Sequence, residues 1–506
     1  MENFFTDNPD IQWHFNHLDH QEVVAAIEDN YTQASQHDDA PVSYEDAVVG
    51  YRSVLEMAGA IAAKEIAPLA AEVDREGAHF ENGQVAYAKG TQRAMDVLAK
   101  SNLLGFTLPR RYSGLNFPGL LYSMAIEMVS QADASLMNLF GLQDIAETLH
   151  EFGDDTLKDR YLPQFATGKV TGAMILTEPD AGSDLQAVRL KAVLQPDGSW
   201  KLYGVKRFIT NGCADVSLVL ARSEEGSIDG RGLSMFVCEK GPDLVIRRIE
   251  HKLGIHGSPT CELQFNGVPA QLVGQRRLGL IRYVMSLMNG ARIGVACQGI
   301  GIAQAAYEEA LKYARKRIQF KHPIVEFPQV YDMLARMKSR IQIARAITYE
   351  ASRLVDLRRV LEVREAAGDL SVRARLKEVS SCASVLTPIA KAYASEMAIE
   401  VTYDAIQIHG GTGYMQEFSV ERLASSVMFL KSMNDRTYSE LVSRRLVDLA
   451  SDSLGAHLLL LQAEKDAGRT PLAAKVFADV MPRIRMQADY IASGDKLVIE
   501  QCAALL

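Results

Sequence analysis

Val188-Arg189-Leu190-Lys191-Ala192-Val193-Leu194 alternates in side-chain character, Pro196-Asp197-Gly198 supplies a turn, and Trp200-Lys201-Leu202-Tyr203 follows. The pattern predicts two strands, because successive side chains of a strand point to opposite faces. Further short strands are expected at Val216 to Ala221, Leu233 to Cys238, Leu244 to Ile249 and Cys261 to Phe265. Strands at this spacing without helices between them predict an antiparallel β-domain over residues 171–272.

Outward from that centre the period changes. Upstream, residues 41–170 carry Val54, Met57, Ile61 and Ile66, then Met124, Ile126, Met128, Leu136 and Ile145, near a helical repeat. Pro109, Gly114 and Pro118 punctuate this zone. Downstream, Arg292 to Arg317 has no proline and repeats Ile293, Ala296, Ile300, Ala303, Ala306 and Ala310. The expected fold class is α+β: an N-terminal helical domain at 41–170, the β-domain at 171–272, and a C-terminal helical domain at 273–440. A polar and aromatic extension at 1–40 and a helical tail at 441–506 flank them.

The 506 residues are 48% hydrophobic and 23% charged, with a net charge of -9. That composition excludes pervasive disorder, and an acidic chain makes a poor general nucleic-acid binder. Six scattered cysteines without a CxxC pair support neither a zinc ribbon nor a disulfide framework and fit a reducing compartment. The first ten residues carry Glu2, Asp7 and Asp10 where a signal or transit peptide needs basic residues. No apolar run approaches the ~18 residues of a membrane span. The expected location is cytoplasmic.

Several motifs have a bland reading beside a functional one. Gly299-Ile300-Gly301 lacks the third glycine and preceding strand of a dinucleotide loop, so the glycines are expected to let helices approach. His14, His17 and His20 lack further ligands at metal spacing; a solvated helix face is expected, and no metal site. Leu176-Thr177-Glu178-Pro179-Asp180-Ala181-Gly182-Ser183 offers two hydroxyls and an open backbone. Phe208 and Thr210 stand two apart on one strand face, suited to cover a planar ring and donate to its edge. Arg315-Lys316-Arg317 closes the long helix with positive charge, and Gly410, Gly411 and Gly413 follow another helix in a special backbone.

TEPDAGSD, FITNG, KLGIHGSPTCEL, the helix from Arg292 ending in YARKRIQF, and QIHGGTGY occur in that order across helices, strands and helices. In sequence and order they closely resemble the acyl-CoA dehydrogenase family of flavoproteins, from about residue 45 to 422. The resemblance implies an N-terminal helical domain, a middle β-domain and a C-terminal four-helix bundle enclosing FAD and an acyl-CoA. It implies that Met174, Leu176, Thr177, Gly182 and Ser183 line the flavin and its phosphates, with Phe208, in place of a common tryptophan, and Thr210 beside the ring. Arg317 and Phe320 match a pair that reaches FAD across a subunit boundary, as do Gln407, Gly410 and Gly411. Asn289 and Arg292 match the CoA end of the substrate, to which Ser183 is also assigned. The activity implied is dehydrogenation of an acyl-CoA to a trans-2-enoyl-CoA in a homodimer or homotetramer, with an electron-transfer flavoprotein as electron acceptor.

The chain departs from the family at the base. Where the family carries its usual glutamate, this sequence reads Met433-Asn434-Asp435-Arg436, so Asn434 takes the base position; the alternative position, before the CoA arginine, is Ala291. Three readings stand side by side. Catalysis is lost while FAD binding is kept; Asp435 or Glu440 has taken over through a shifted loop; or residues 423–436 carry a local fault in the recorded reading frame. An acyl-CoA oxidase is a further alternative. A DNA-binding relative is disfavoured, since residues 440–506 hold eight Lys/Arg against nine Asp/Glu.

Overall fold

A computed structural model describes residues 2–17, 19–432 and 439–493. Two short helices, α1 (Pro9–Asn16) and α2 (Gln21–Ile27), precede α3 (Tyr44–Ile61), α4 (Ala70–Glu76), the hairpin β1 (His79–Glu81) and β2 (Gln84–Ala86), and α5 (Lys89–Lys100). Then come α6 (Gly119–Ala132), α7 (Ala134–Phe140), α8 (Asp144–Phe152) and α9 (Asp155–Ala166). From Leu120 to Ala132 every residue of α6 is buried. A helix apolar on all sides belongs inside a larger core. Its first turn is closed from outside: Gly119 and Leu120 donate their N–H groups to the Asp356 carboxylate at 3.0 and 2.9 Å. Asp133 caps α7 by accepting from the Ser135 N–H at 2.7 Å.

The middle of the chain contains β3 (Gly172–Ile175), β4 (Lys191–Leu194), β5 (Trp200–Thr210), β6 (Val216–Arg222), β7 (Leu233–Glu239), β8 (Leu244–Ile249) and β9 (Thr260–Leu272). The strand order is β3-β6-β4-β5-β9-β7, with β8 on β9, and β7 also pairs with β6, so the sheet curls back on itself. The strands are not all antiparallel as expected: β3 and β4 each run parallel to β6. A parallel neighbour needs a crossover, and the long excursion through β4 and β5 between β3 and β6 provides it. Strand β6 is buried on both faces. Leu218 and Leu220 turn toward α8 and α9, while Val219 and Ala221 turn inward with Phe236, Leu263 and Phe265.

Helices α10 (Met285–Lys316), α11 (Pro328–Ala366), α12 (Arg373–His409) and α13 (Ser419–Ser432) form the C-terminal bundle, followed by α14 (Ser439–Lys465) and α15 (Thr470–Ser493). A two-stranded hairpin, β10 (Ile318–Gln319) and β11 (His322–Pro323), joins α10 to α11. Glycine makes the close approaches possible. A Cβ on Gly299 would stand 2.9 Å from the Ala394 carbonyl oxygen of α12, and one on Gly301 only 2.4 Å from the Glu127 carbonyl oxygen of α6.

The N-terminal extension differs from its expectation. Phe4, Phe5, Ile11 and Phe15 are buried in the main helical core. The three histidines share no solvated face, because α1 ends at Asn16. His17 caps it, the His14 ring packs edge-on against Tyr349 at 5.1 Å, and His20 is buried 3.4 Å from Asp356.

Candidate active site

The end of β3 and the bend of β5 build one wall. Lys206 pairs with Leu263 and Ile209 with Cys261, so three steps on β5 meet two on β9. This is a bulge, and Phe208 absorbs it with φ +61. A bulky residue in the left-handed region is a strained conformation of the kind that gathers at functional sites. The extra residue switches faces along the strand. Lys206 and Ile209 turn inward, whereas the Phe208 ring is 51% exposed, and Thr210 flanks Ile209 on the same side as Phe208. Phe208 and Thr210, set two apart in the sequence, both escape the buried face that Lys206 and Ile209 occupy. That arrangement exists only from the bulge onward.

The neighbouring loop folds back on itself through reciprocal bonds between Glu178 and Ala181, 3.0 and 3.2 Å long. The Arg207 N–H donates to the Thr177 carbonyl at 3.0 Å and joins the loop to the bulge. Thr177 thus lies beside the bulge, and Leu176 and Met174 precede it, Met174 as part of β3 paired with Leu218. A Cβ on Gly182 would meet nothing nearer than the Thr177 Cγ2 at 3.9 Å, so the loop backbone is open to approach. Asn211 anchors the strand end: its amide donates to the Gly172 carbonyl at 2.9 Å, and it accepts from the Tyr87 hydroxyl at 2.5 Å.

Behind this wall lies a buried ion pair that sequence reasoning did not single out. Lys206 Nζ stands 3.0 Å from Glu178 Oε1 and donates to the Leu176 carbonyl at 2.6 Å. Glu178 also accepts the backbone N–H groups of Arg189 and Leu190, both at 2.8 Å. Burial pulls the Lys206 ammonium down to about 8, against the opposing pull of Glu178. Lys206 is in phase with the inward residues Trp200 and Leu202, so alternation along β5 turns it inward, and the bulge that follows brings Ile209 rather than Phe208 to the same face.

A second group sits at the far end of the bundle. Arg317 ends α10, and Phe320 is 88% exposed with φ +47. Gly410 ends α12 with φ +60, and a Cβ on Gly410 or Gly411 would meet nothing within 4 Å. The two ends touch: Tyr313 stacks on His409 at 4.3 Å, and the Thr412 hydroxyl bonds the Tyr313 hydroxyl at 3.2 Å. Gln407, on the last turn of α12, is exposed. Arg317, Phe320, Gln407, Gly410 and Gly411 thus gather on one surface, in a different domain from the wall of Thr177 and Phe208.

Asn289 and Arg292 lie one turn apart on α10, where Arg292 donates to the Asn289 amide oxygen at 2.9 Å. The loop 252–257 closes the junction between domains. A Cβ on Gly254 would stand 2.7 Å from the Ser425 carbonyl of α13, and Ser258 receives the Asn138 amide at 3.1 Å, itself bonded by Gln298 at 3.0 Å. Sequence reasoning did not find this buried Ser258–Asn138–Gln298 chain. Its members lie far apart in sequence, and only Ser258, within KLGIHGSPTCEL, stands in a motif. Asn434, Asp435 and Arg436 lie outside the described residues, and Glu440 falls on the first turn of α14. Helix α13 ends just before them, with the Leu430 carbonyl facing Lys391 Nζ at 3.4 Å. Burial, and then the Arg292 charge, lower the Lys391 ammonium to about 8.

An exposed aromatic on a strained bulge, an open glycine loop and the hydroxyls of Thr177 and Thr210 fit a planar heterocycle bearing phosphates, which is what FAD presents. Among the described residues no helix is long and apolar enough to cross a membrane. The N-terminal domain family of the acyl-CoA dehydrogenases matches residues 51–169, the middle domain family 173–268 and the C-terminal domain family 281–433. The chain is similar to 3-methylmercaptopropionyl-CoA dehydrogenase of Ruegeria pomeroyi, 35% identical over 460 residues, which cover 85% of this chain and 73% of that one. Butyryl-CoA dehydrogenase of Megasphaera elsdenii is 30% identical with a TM-score of 0.64, over 75% of this chain and 93% of that one. A chain solved in work on the electron transferring flavoprotein of Acidaminococcus fermentans and flavin-based electron bifurcation is 31% identical with a TM-score of 0.65, again over 75% and 93%. Matched by all three of its domain families, the chain belongs to the acyl-CoA dehydrogenase family, FAD flavoproteins that act as oxidoreductases on acyl-CoA.

Proposed function

We propose that this protein dehydrogenates an acyl-CoA thioester at its α,β bond, giving a trans-2-enoyl-CoA, and passes the electrons to an electron-transfer flavoprotein. The observation that carries the reading is the wall of Thr177, Gly182, Phe208 and Thr210 beside the domain junction, in a chain with this family's three domains. FAD, when bound, supplies the hydride acceptor. The chain's own residues bind and orient. Thr177 and Thr210 present hydroxyls to the flavin edge, and Phe208 covers the ring. Asn289 and Arg292 hold the CoA end, where the guanidinium suits an anionic group. The Ser258–Asn138–Gln298 chain and the Gly254 contact seal the junction and exclude water.

The exposed ends of α10 and α12 support a neighbouring protomer as the completing partner, with Arg317 and Phe320 reaching its flavin site. On this reading FAD-loaded protein sediments as a dimer or larger. Arg317→Ala weakens FAD retention by about the ~1.5–3 kcal/mol of a hydrogen bond to a charged group. Monomeric holoprotein in sedimentation velocity would count against it.

The second reading, flavin binding with impaired chemistry, is favoured by Asn434, because an amide cannot take the α-proton. A positioned base contributes roughly 10²–10⁴ in rate, so flavin bleaching by acyl-CoA under anaerobic conditions should be slow. Replacing Asn434, Asp435 and Arg436 by Glu, Gly and Thr should restore it. Bleaching of the unaltered protein at rates no slower than those of its dehydrogenase relatives would place the base elsewhere, and separate substitution of Asp435 and Glu440 would locate it. A colourless protein that takes up no FAD would overturn both readings.

A further inference from the structure

Lys206 is fully buried at the end of the β-domain nearest the wall described above, and its ammonium group makes two contacts with defined consequences. One is the Glu178 carboxylate at 3.0 Å; the other is the Leu176 carbonyl at 2.6 Å. Glu178 is itself pinned by the Arg189 and Leu190 N–H groups, so the ammonium is held from a fixed frame and not from a free side chain. Glu178 is the charged group that faces Lys206. The adjacent Arg207 turns the other way, to Glu250 at 2.9 Å and Glu262 at 3.6 Å.

A peptide unit is planar and trans, so its C=O and N–H point in opposite directions. The unit that carries the Leu176 carbonyl also carries the Thr177 N–H. Drawing that carbonyl inward to Lys206 therefore turns the Thr177 N–H away from the interior of the β-domain. The next unit is fixed as well, since the Thr177 carbonyl accepts from the Arg207 N–H at 3.0 Å. Among the described residues neither the Thr177 N–H nor its hydroxyl has a protein partner. Two donors on one residue are left without a protein partner, and the direction of the N–H is set from behind.

We propose that Lys206, held by Glu178, is a positioning residue for the cofactor: it fixes the Leu176–Thr177 peptide so that the Thr177 N–H donates to the acceptor-rich edge of the flavin ring. The inference rests on the FAD site proposed above and adds to it the residue that aims the wall. A buried ion pair by itself is weak support for stability. Here it has a geometric role, because a hydrophobic replacement of the same volume would keep the packing and release the carbonyl.

The test uses apoprotein titrated with FAD, followed by flavin fluorescence quenching and by the visible circular dichroism of the bound ring. Apoprotein melting is recorded alongside. Lys206→Met should weaken FAD binding about tenfold or more and change the visible dichroism. The double variant Lys206→Met with Glu178→Gln leaves no buried charge and should melt closer to the parent than Lys206→Met, yet bind FAD as weakly. It carries the comparison if the single variant does not fold. Glu178→Gln alone keeps the lysine donor but weakens its frame, so its affinity should fall between those of the parent and Lys206→Met. Affinity that follows the melting temperature across the variants would mean a structural role only and overturn the proposal. So would parent-like affinity and dichroism in the double variant. If the parent protein bound no FAD, the FAD reading would fall first, and the proposal with it.

Discussion

Glu127 and Arg345 face each other at 2.6 Å with both side chains at 0% exposure, and Tyr349 donates to the same carboxylate at 2.7 Å. Removing one partner strands the other without solvent. Glu127→Ala should destabilise by about 3–5 kcal/mol in urea denaturation, while the joint change Glu127→Leu with Arg345→Met should recover much of it. His14 is a residue-scale case with a pH consequence. Burial, and then the Arg345 and Arg469 charges, hold its imidazole well below its ordinary 6.5. The folded state therefore binds fewer protons than the unfolded state once pH falls below about 6.5. Stability from this group is full above that pH and is lost below it, at up to ~1.4 kcal/mol per pH unit. Thermal melts between pH 7 and 5.5 should show a shallower loss in His14→Phe, which keeps the aromatic contact with Tyr349. An equal slope in both proteins would remove His14 from the acid sensitivity.

Helix α10 is an element set by its small residues. Gly301 brings its backbone onto the Glu127 carbonyl of α6, and Gly294 faces the flexible end of Met137, with Cε 3.3 Å from where a Cβ would stand. Overpacking against backbone costs about 1–3 kcal/mol, whereas alanine in place of glycine gains up to ~1 kcal/mol of helix propensity. Gly301→Ala should therefore lower stability, and Gly294→Ala should leave it unchanged or raise it slightly, in chemical denaturation. The reverse order would mean that α6 and α10 can separate without cost. At the same scale, the strand β5 was legible as alternation but its face switch was not. The bulge depends on register with β9, and Phe208 and Ile209 carry no local mark of it.

At the scale of the whole molecule, the segment around Asp10 and Trp13 meets the turn before α15 over the helical core. Arg469 reaches Asp10 at 3.1 Å, lies 4.5 Å from the Trp13 ring centre, and also bonds Gln462 and Gln342. Both segments lie outside the span of the three family domains, 51–433. Arg469→Ala should loosen both together, so limited proteolysis should cut near residues 2–17 sooner than in the parent protein. Unchanged cleavage would mean that the buried Phe5, Ile11 and Phe15 hold the N-terminal segment without help from the tail.

The order of helices, strands and helices, and the motifs at 177–183, 208–210, 317–320 and 407–411, were readable because each is local. Periodicity and turn chemistry lie within a few residues, and five short motifs in order carry a family's signature. Asn434 at the base position is likewise a fact of sequence. What the fold alone decided depends on pairs distant along the chain. The parallel pairing of β3 with β6 needed the crossover. The face switch between Lys206 and Ile209 needed β9, and the Asn138–Ser258 bond joins residues 120 apart. The packing of His14 and His20 against α11, with only His17 left exposed, broke up the solvated face that their spacing predicts, because the neighbouring aromatic residues gain more from the core than two imidazoles gain from water. Spacing along one element reports on that element. Which face it buries is settled by the partner that arrives from elsewhere in the chain.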